Sequence, residues 1–431
     1  MKETTILNRK VPPPIKDAIE FNLELKACQR FTLDNGVEVY AIDAGAEEVL
    51  QMEMVFYAGN WYEEKNGIAA ATNFLLKNGT RNRSAFEINE HFDYYGAYLN
   101  RNCYNETANF ILHCLTKRLG DLLPVMQEIL TDSVFPEHEL DVYKQNQKQR
   151  LEVNLKKCDV VANRLIDEYI YGAEHPYGKN STLEMYDALT TEEIKHFYQR
   201  YYSQGKCVIF VAGILPPNLG PLLNEYFGKL LLNKQPLPEI PYHIKPATEK
   251  KQRVLNDPDG VQGAIRLARH FPNRHHPDFK KVQVLNTLFG GFFGSRLMDN
   301  IREDKGYTYG IYSYLQNHLQ DGAWVISTEA GRDVCEATVK EIYFEMQRLR
   351  EGAIPGDELL MVKNYLMGSI LGDLDGPFQI IGRWKNLILN GLDENFFNES
   401  VQTIRQVRPE ELSELARKYL VEEAFYELVV V

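Results

Sequence analysis

The chain runs through one series of landmarks twice, and this internal repetition limits the folds open to it more than any single motif does. In the first half DYYGAYLN (residues 93–100) precedes TANFILHCL, whose alternation reads as a half-buried strand. In the second half YTYGIYSYL (307–315) precedes GAWVISTEAG, a second strand, and Gly96 and Gly310 stand 214 residues apart. Proline-started helices follow, PEHEL at Pro136 and PGDEL at Pro355, offset by 219. LTTEEIKHFYQRYY then KCVIFVAG parallels VRPEELSELARKYL then FYELVVV, with Glu192 and Glu410 offset by 218. Between these marks, Cys335, Val339, Ile342, Met346 and Leu349 recur at helical spacing. PPNLGPLLNEYFGKLL, after KCVIFVAG, reads as one more amphipathic helix. The expected fold class is α+β, with two similar domains that each mix helices with an antiparallel-rich sheet. The domains are expected at 1–232 and 251–431, joined by a proline- and lysine-rich linker at 233–250.

Charge narrows the partners. With 48 basic and 60 acidic side chains the net charge is -12, a field that repels phosphate backbones and anionic lipid. Neither nucleic acid nor a membrane surface is an expected partner. No window approaches the ~20 apolar residues of a membrane span, and MKETTILNRKVPPPIKDAIEFNLELKACQR has no apolar core of leader length. A cytoplasmic location is expected. The six cysteines are scattered without CxxC spacing, which suits reduced, mostly buried thiols. The ten histidines contain no HxxxH pair, and the adjacent His275 and His276 read as a solvated loop.

The order of these landmarks, with FTLDNGVEVYAI (31–42), YAGNWYEEKNGIA (57–69) and NGTRNRS (78–84), resembles the insulinase-like, pitrilysin-type zinc metallopeptidase family over nearly the whole chain. The resemblance implies two homologous α/β-roll domains per subunit, and subunits that pair around a peptide-digesting chamber, one of them often inactive. Active subunits carry HxxEH on a helix: two His four apart bind Zn²⁺ from one face, and the Glu between them activates the metal-bound water. The matching residues here are Ala70, Ala71, Thr72, Asn73 and Phe74. Alanine and phenylalanine offer zinc no lone pair, and asparagine is no general base near neutral pH. The family's third ligand, a downstream Glu, aligns with Arg150; Glu152 nearby reads as a surface residue. No metal is expected in this chain. Ala70, Ala71, Phe74 and Leu75 read instead as a packed core face.

The second half keeps more of the pattern. LFGGFFGSRLMDNIREDKGYTYGIYSYL resembles the family segment in which a Gly-rich turn leads to a helix ending near an Arg, with a Tyr seven residues on. Here these are Arg302 and Tyr309, a pair that the resemblance makes substrate-binding. Gly306 between them is a helix stop, so Arg302 belongs to the last turn and Tyr309 to the next strand. Arginine presents a rigid fork of donors suited to a carbonyl or oxyanion, and tyrosine adds a neutral hydroxyl. The neighbouring Tyr94, Tyr95, Tyr98, Tyr307, Tyr312 and Tyr314 read as sheet packing. GGFFGS lacks the Walker lysine, and no GxSxG offers a serine nucleophile.

The reading that follows is a non-catalytic, substrate-binding subunit of a heterodimeric zinc peptidase acting on unstructured peptides. Its partner is an HxxEH-bearing homologue that holds the zinc. The alternative is an inert scaffold or peptide-binding homodimer of the same fold.

Overall fold

The computed structural model describes residues 16–431; the first fifteen residues of the N-terminal stretch read for a leader lie outside them. The first sheet contains β1 (Gln29–Thr32), β2 (Glu38–Asp43), β3 (Val49–Phe56), β4 (Tyr98–Cys103), β5 (Ala108–Leu115) and β6 (Cys207–Gly213). The second contains β7 (Lys251–Val254), β8 (Gln262–His270), β9 (Thr308–Asn317), β10 (Gly322–Gly331) and β11 (Tyr426–Val430). Their orders are β1-β2-β6-β3-β5-β4 and β7-β11-β8-β10-β9. With β1 set aside the two orders match strand for strand, and each sheet has one parallel pair, β2 with β6 and β7 with β11. The repeated landmarks thus report a repeated topology, the expected α+β class. Every residue of β6 and of β11 is buried, as continuous apolar runs require when both faces of a sheet are covered.

Most landmarks fall where spacing placed them. Pro136 and Pro355 sit at the N-caps of helices Glu137–Asn154 and Gly356–Gly372. Helices Thr191–Tyr198 and Pro409–Tyr419 precede β6 and β11, helix Leu219–Phe227 follows β6, and the five periodic residues from Cys335 to Leu349 are all buried. One pairing is corrected. Gly96 corresponds to Gly306, not to Gly310, which lies inside β9. Gly96 at φ +62 and Gly306 at φ +67 each precede an edge strand by two residues. That left-handed turn costs a glycine nothing and any β-carbon much, so the turn fixes the equivalence.

The two sheets do not belong to two separable bodies. Helix Cys158–Tyr171, from the first half, lies on β8 and β11 of the second sheet, while helix Pro377–Leu389 lies on β2 and β6 of the first. Each contact buries a polar anchor. Glu53 on β3, 2% exposed, accepts from Lys385 Nζ at 2.8 Å and from Asn109 Nδ2 at 2.5 Å. On the topologically matching strand β8, Arg266 donates to Asn163 Oδ1 at 2.7 Å and to the carbonyls of Ile265 and Thr328. The apolar cores mix the halves likewise: Ala264, Ala268 and Tyr426 join the cluster around Leu50 and Met52, and Tyr40, Val208 and Phe210 join the one around Ile265 and Trp324.

Residues 233–250 form no helix or strand. They are nonetheless tied down, with the Lys245 and Ala247 amides donating to the carbonyls of Tyr171 and Tyr169 at 3.0 and 2.8 Å. All six cysteines are free, three of them buried. Among the described residues no helix is long and apolar enough to cross a membrane.

Candidate functional site

The degenerate motif lies on helix Ile68–Leu75. Gly67 begins it at φ +90, and the Glu63 carboxylate caps it, accepting from the Gly67 and Ala69 amides at 3.0 and 3.1 Å. Asn73 is buried and points into the first half's core, where its Nδ2 donates to Tyr202 Oη at 3.2 Å and toward the Asn109 carbonyl at 3.4 Å. It does the work of a core amide. Ala71 and Leu75 are buried, as the packed-face reading held, but Ala70 is half-buried and Phe74 is 38% exposed. That reading is corrected at these two positions: with eight residues, the helix sinks one face through Ala69, Thr72, Asn73 and Leu75 and turns Phe74 outward.

Phe74 occupies what HxxEH would leave for a metal. Its ring lies 4.9 Å from that of Tyr143, on helix Glu137–Asn154, and the Arg101 guanidinium stands 4.5 Å over it. Arg101 is on edge strand β4, and burial pulls its proton affinity down to about 10. Its Nε finds no partner and no solvent. Lys77, also half-buried, has its ammonium disfavoured by burial and by Arg101. A divalent cation entering here would meet two cations already poorly solvated. Arg150 lies seven residues beyond Tyr143, on the same helix face, and is exposed. No cluster of three His, Cys, Asp or Glu able to hold a metal occurs among the described residues. The residues at this site do not fit zinc. Arg101 was missed in the sequence, though its signal is visible: it shares strand parity with the buried Leu99, so β4 turns a charge inward.

Glu63 leads to a pH dependence. The carboxyl is 4% exposed, and burial pushes it up to about 7 against the pull of the amides it caps. Between pH ~4.5 and ~7 the native state therefore holds a proton that the unfolded chain releases. Stability falls as pH rises through that window, by up to about 1.4 kcal/mol per pH unit from this group. Glu63→Gln keeps an accepting oxygen and removes the titration. Urea melts at pH 5 and pH 7 are expected to show the variant gaining on the wild-type chain as pH rises; parallel profiles would exonerate Glu63.

The second cluster does converge. Arg302 lies in the last turn of the helical segment Met298–Asp304, the Gly306 amide donates to its carbonyl at 3.1 Å, and Tyr309 follows on β9, as the helix stop required. The Arg302 guanidinium lies 5.2 Å from the Tyr309 ring and 4.6 Å from that of Phe293. Both rings face solvent, Tyr309 at 90% exposure and Phe293 at 61%. Among the described residues the one ion pair of Arg302 is with Glu303, 3.4 Å from Nε. Aromatic stacking holds the faces of the guanidinium and leaves in-plane donors for a ligand. Phe293 escaped the sequence reading because only the fold brings the Gly-rich turn back over Arg302. The packing reading holds for Tyr95 and Tyr307, half-buried against the cores, and is corrected for Tyr94, Tyr98, Tyr312 and Tyr314, which are 80%, 63%, 55% and 42% exposed. Tyr98, Tyr312 and Tyr314 alternate with the buried Leu99, Ile311 and Ser313, so they lie on the sheet face that the core does not cover, and Tyr94 ends the helix before β4.

Comparison with known proteins fits the fold. Residues 39–175 match the family model described as insulinase (peptidase family M16), and residues 188–366 match that described as the peptidase M16 inactive domain. The chain is 24% identical over 402 residues to an uncharacterized zinc protease of Bacillus subtilis, YmxG, covering 92% of this chain and 96% of that protein. An uncharacterized zinc protease of Rickettsia felis is 24% identical over 355 residues, 79% of this chain and 82% of the relative. Among solved structures, a peptidase M16 inactive domain from Pseudomonas fluorescens superposes with a TM-score of 0.82 at 22% identity, covering 94% of this chain and 98% of that one. A protease from Helicobacter pylori superposes with a TM-score of 0.85 at 18% identity, covering 94% and 100%.

Proposed function

We propose, starting from the fact that this chain belongs to the insulinase family, peptidase family M16, that it is the non-catalytic, substrate-binding subunit of a two-subunit zinc peptidase. In this reading an HxxEH-bearing homologue holds the metal, and this chain contributes Arg302, Tyr309 and half of the chamber that encloses an unstructured peptide, in the cytoplasm. The observation that supports it is the contrast between the two clusters. Phe74, under the Arg101 guanidinium, stands where a metal ligand would be, while Arg302 is stacked between two exposed rings, with Glu303 as its ion-pair partner at 3.4 Å. A half-buried guanidinium stacked near an exposed tyrosine suits a peptide carbonyl that gains negative charge during cleavage. Edge strand β9, which carries Tyr309, has free backbone groups of the kind an extended peptide can pair with.

The test is to purify the chain alone, its HxxEH homologue alone and the two together, measuring zinc content and cleavage of an unstructured peptide. Cleavage is expected only from the pair, with zinc entering with the homologue. In the pair, Arg302→Ala is expected to lower kcat/KM by about 10²–10³-fold, the usual loss for a removed oxyanion donor. Tyr309→Phe should lower it less. If Arg302→Ala leaves hydrolysis unchanged, the division of labour is wrong. A zinc-free homodimer that ignores the homologue would establish the scaffold role instead.

A further inference from the structure

The second half contains a cleft where the first half has its plugged motif. In the first half Phe74, Tyr143 and Arg101 meet between the short helix after β3, the proline-capped helix and edge strand β4. The topologically matching elements of the second half are helix Phe279–Asn286, helix Gly356–Gly372 and edge strand β9, and between them lies an open cavity of about 670 Å³. That volume is in the range of small-molecule sites, roughly 300–1,000 Å³. The helices Pro377–Leu389 and Glu394–Gln406 complete its walls.

The charges of the cleft do not balance. Three of its lining residues are charged: Arg274, Arg383 and Asp373. Arg383 is committed, paired with Asp373 and lying 5.8 Å from the Phe397 ring. Arg274 makes no hydrogen bond and no ion pair among the described residues, and its Nε is shut off from both solvent and protein acceptors. Burial, and then repulsion from Arg383, lower its proton affinity. An arginine does not escape by losing its proton, so a half-buried guanidinium without a protein acceptor is left on the cavity wall. The rest of the wall is mixed: amides and hydroxyls such as Gln283, Asn317 and Ser369 alternate with an apolar patch of Phe279, Leu366, Ile370, Leu387 and Phe397.

We propose that this cleft binds an organic carboxylate: a single carboxylate group on Arg274 with an apolar body against the Phe279, Leu366 and Phe397 wall. One free guanidinium matches one carboxylate through its fork of donors. A net lining charge of one positive unit suits a monoanion, and Asp373 at the rim opposes a dianion such as phosphate. The same chemistry is carried by a free aliphatic or aromatic acid and by the C-terminal residue of a peptide.

The experiment is isothermal titration calorimetry on the full chain with decanoate and with decanol, which keeps the body and removes the charge. Decanoate is expected to bind one-to-one and at least about 10-fold more tightly than decanol. Arg274→Gln is expected to weaken decanoate by about 10-fold or more and leave decanol unchanged. An acetylated tetrapeptide ending in phenylalanine, as free acid and as amide, separates the sources. Binding of the free acid over the amide assigns the site to chain ends, and decanoate binding without it assigns the site to small acids. Equal binding of decanoate and decanol overturns the proposal, as does a folded Arg274→Gln chain with wild-type decanoate affinity. If Arg274→Gln fails to fold, the decanoate and decanol contrast on the wild-type chain decides.

Discussion

Writing the zinc motif back into this chain is expected to fail: Ala70→His, Asn73→Glu and Phe74→His, combined with Arg150→Glu, should yield a protein with only substoichiometric zinc. Two physical obstacles stand apart from the missing ligands. The first is electrostatic, since the Arg101 guanidinium, 4.5 Å over the Phe74 ring, remains beside the restored imidazole and repels a dication. The second is steric and polar. Asn73 is buried, and its Nδ2 donates to Tyr202 Oη and toward the Asn109 carbonyl. A glutamate there loses the donor, faces an acceptor oxygen and brings a charge into the core. Asn73→Glu alone is expected to cost about 2–4 kcal/mol. Adding Arg101→Gln should raise zinc occupancy, because it removes the cation and keeps a polar side chain. Metal content after dialysis, with urea melts of each variant, tests both parts. One zinc per chain in the four-residue variant with Arg101 intact would sink the electrostatic argument.

The other large effect is expected at Lys385. This residue lies on helix Pro377–Leu389, which crosses from the second half onto the first sheet, and its ammonium meets the Glu53 carboxylate at 2.8 Å. Glu53 is 2% exposed, so Lys385→Met leaves a carboxylate with only the Asn109 amide for company. Removing one partner of a buried pair costs about 3–5 kcal/mol, most of it the uncompensated charge. Glu53→Gln on the Lys385→Met background should recover most of that loss, since no charge is then left inside. Asn163→Ala, at the matching contact on the second sheet, should cost less, about 1–2 kcal/mol, because Arg266 keeps the Ile265 and Thr328 carbonyls. Denaturant melts of the three variants beside the wild-type chain decide it. A loss below about 1 kcal/mol for Lys385→Met would mean that water reaches Glu53 and the crossed helix is not the clamp described.

Much of the fold could be read from sequence because its determinants are local. Alternation in TANFILHCL, helical spacing from Cys335 to Leu349, and the prolines at 136 and 355 each report on a few consecutive residues, and each gave its element. The repetition of those signals carried the topology. The mistaken Gly310 pairing arose for the same reason: two glycines near one strand are indistinguishable by spacing until φ shows that only Gly306 turns left-handed. The loss of the metal ligands was equally plain, since an alanine cannot coordinate zinc in any environment.

The amino-acid sequence by itself determined the two-copy α+β architecture, the family and the absence of HxxEH, because periodicity, turn chemistry and ligand chemistry belong to short segments or single side chains. Only the tertiary structure decided that Phe74 faces outward under Arg101, that Phe293 and Tyr309 flank Arg302, and that each half lays a helix on the other's sheet. Those facts join residues far apart in the chain, and their energies depend on which charge is buried beside which ring. Desolvation and Coulomb terms of that kind exist only once the chain has folded.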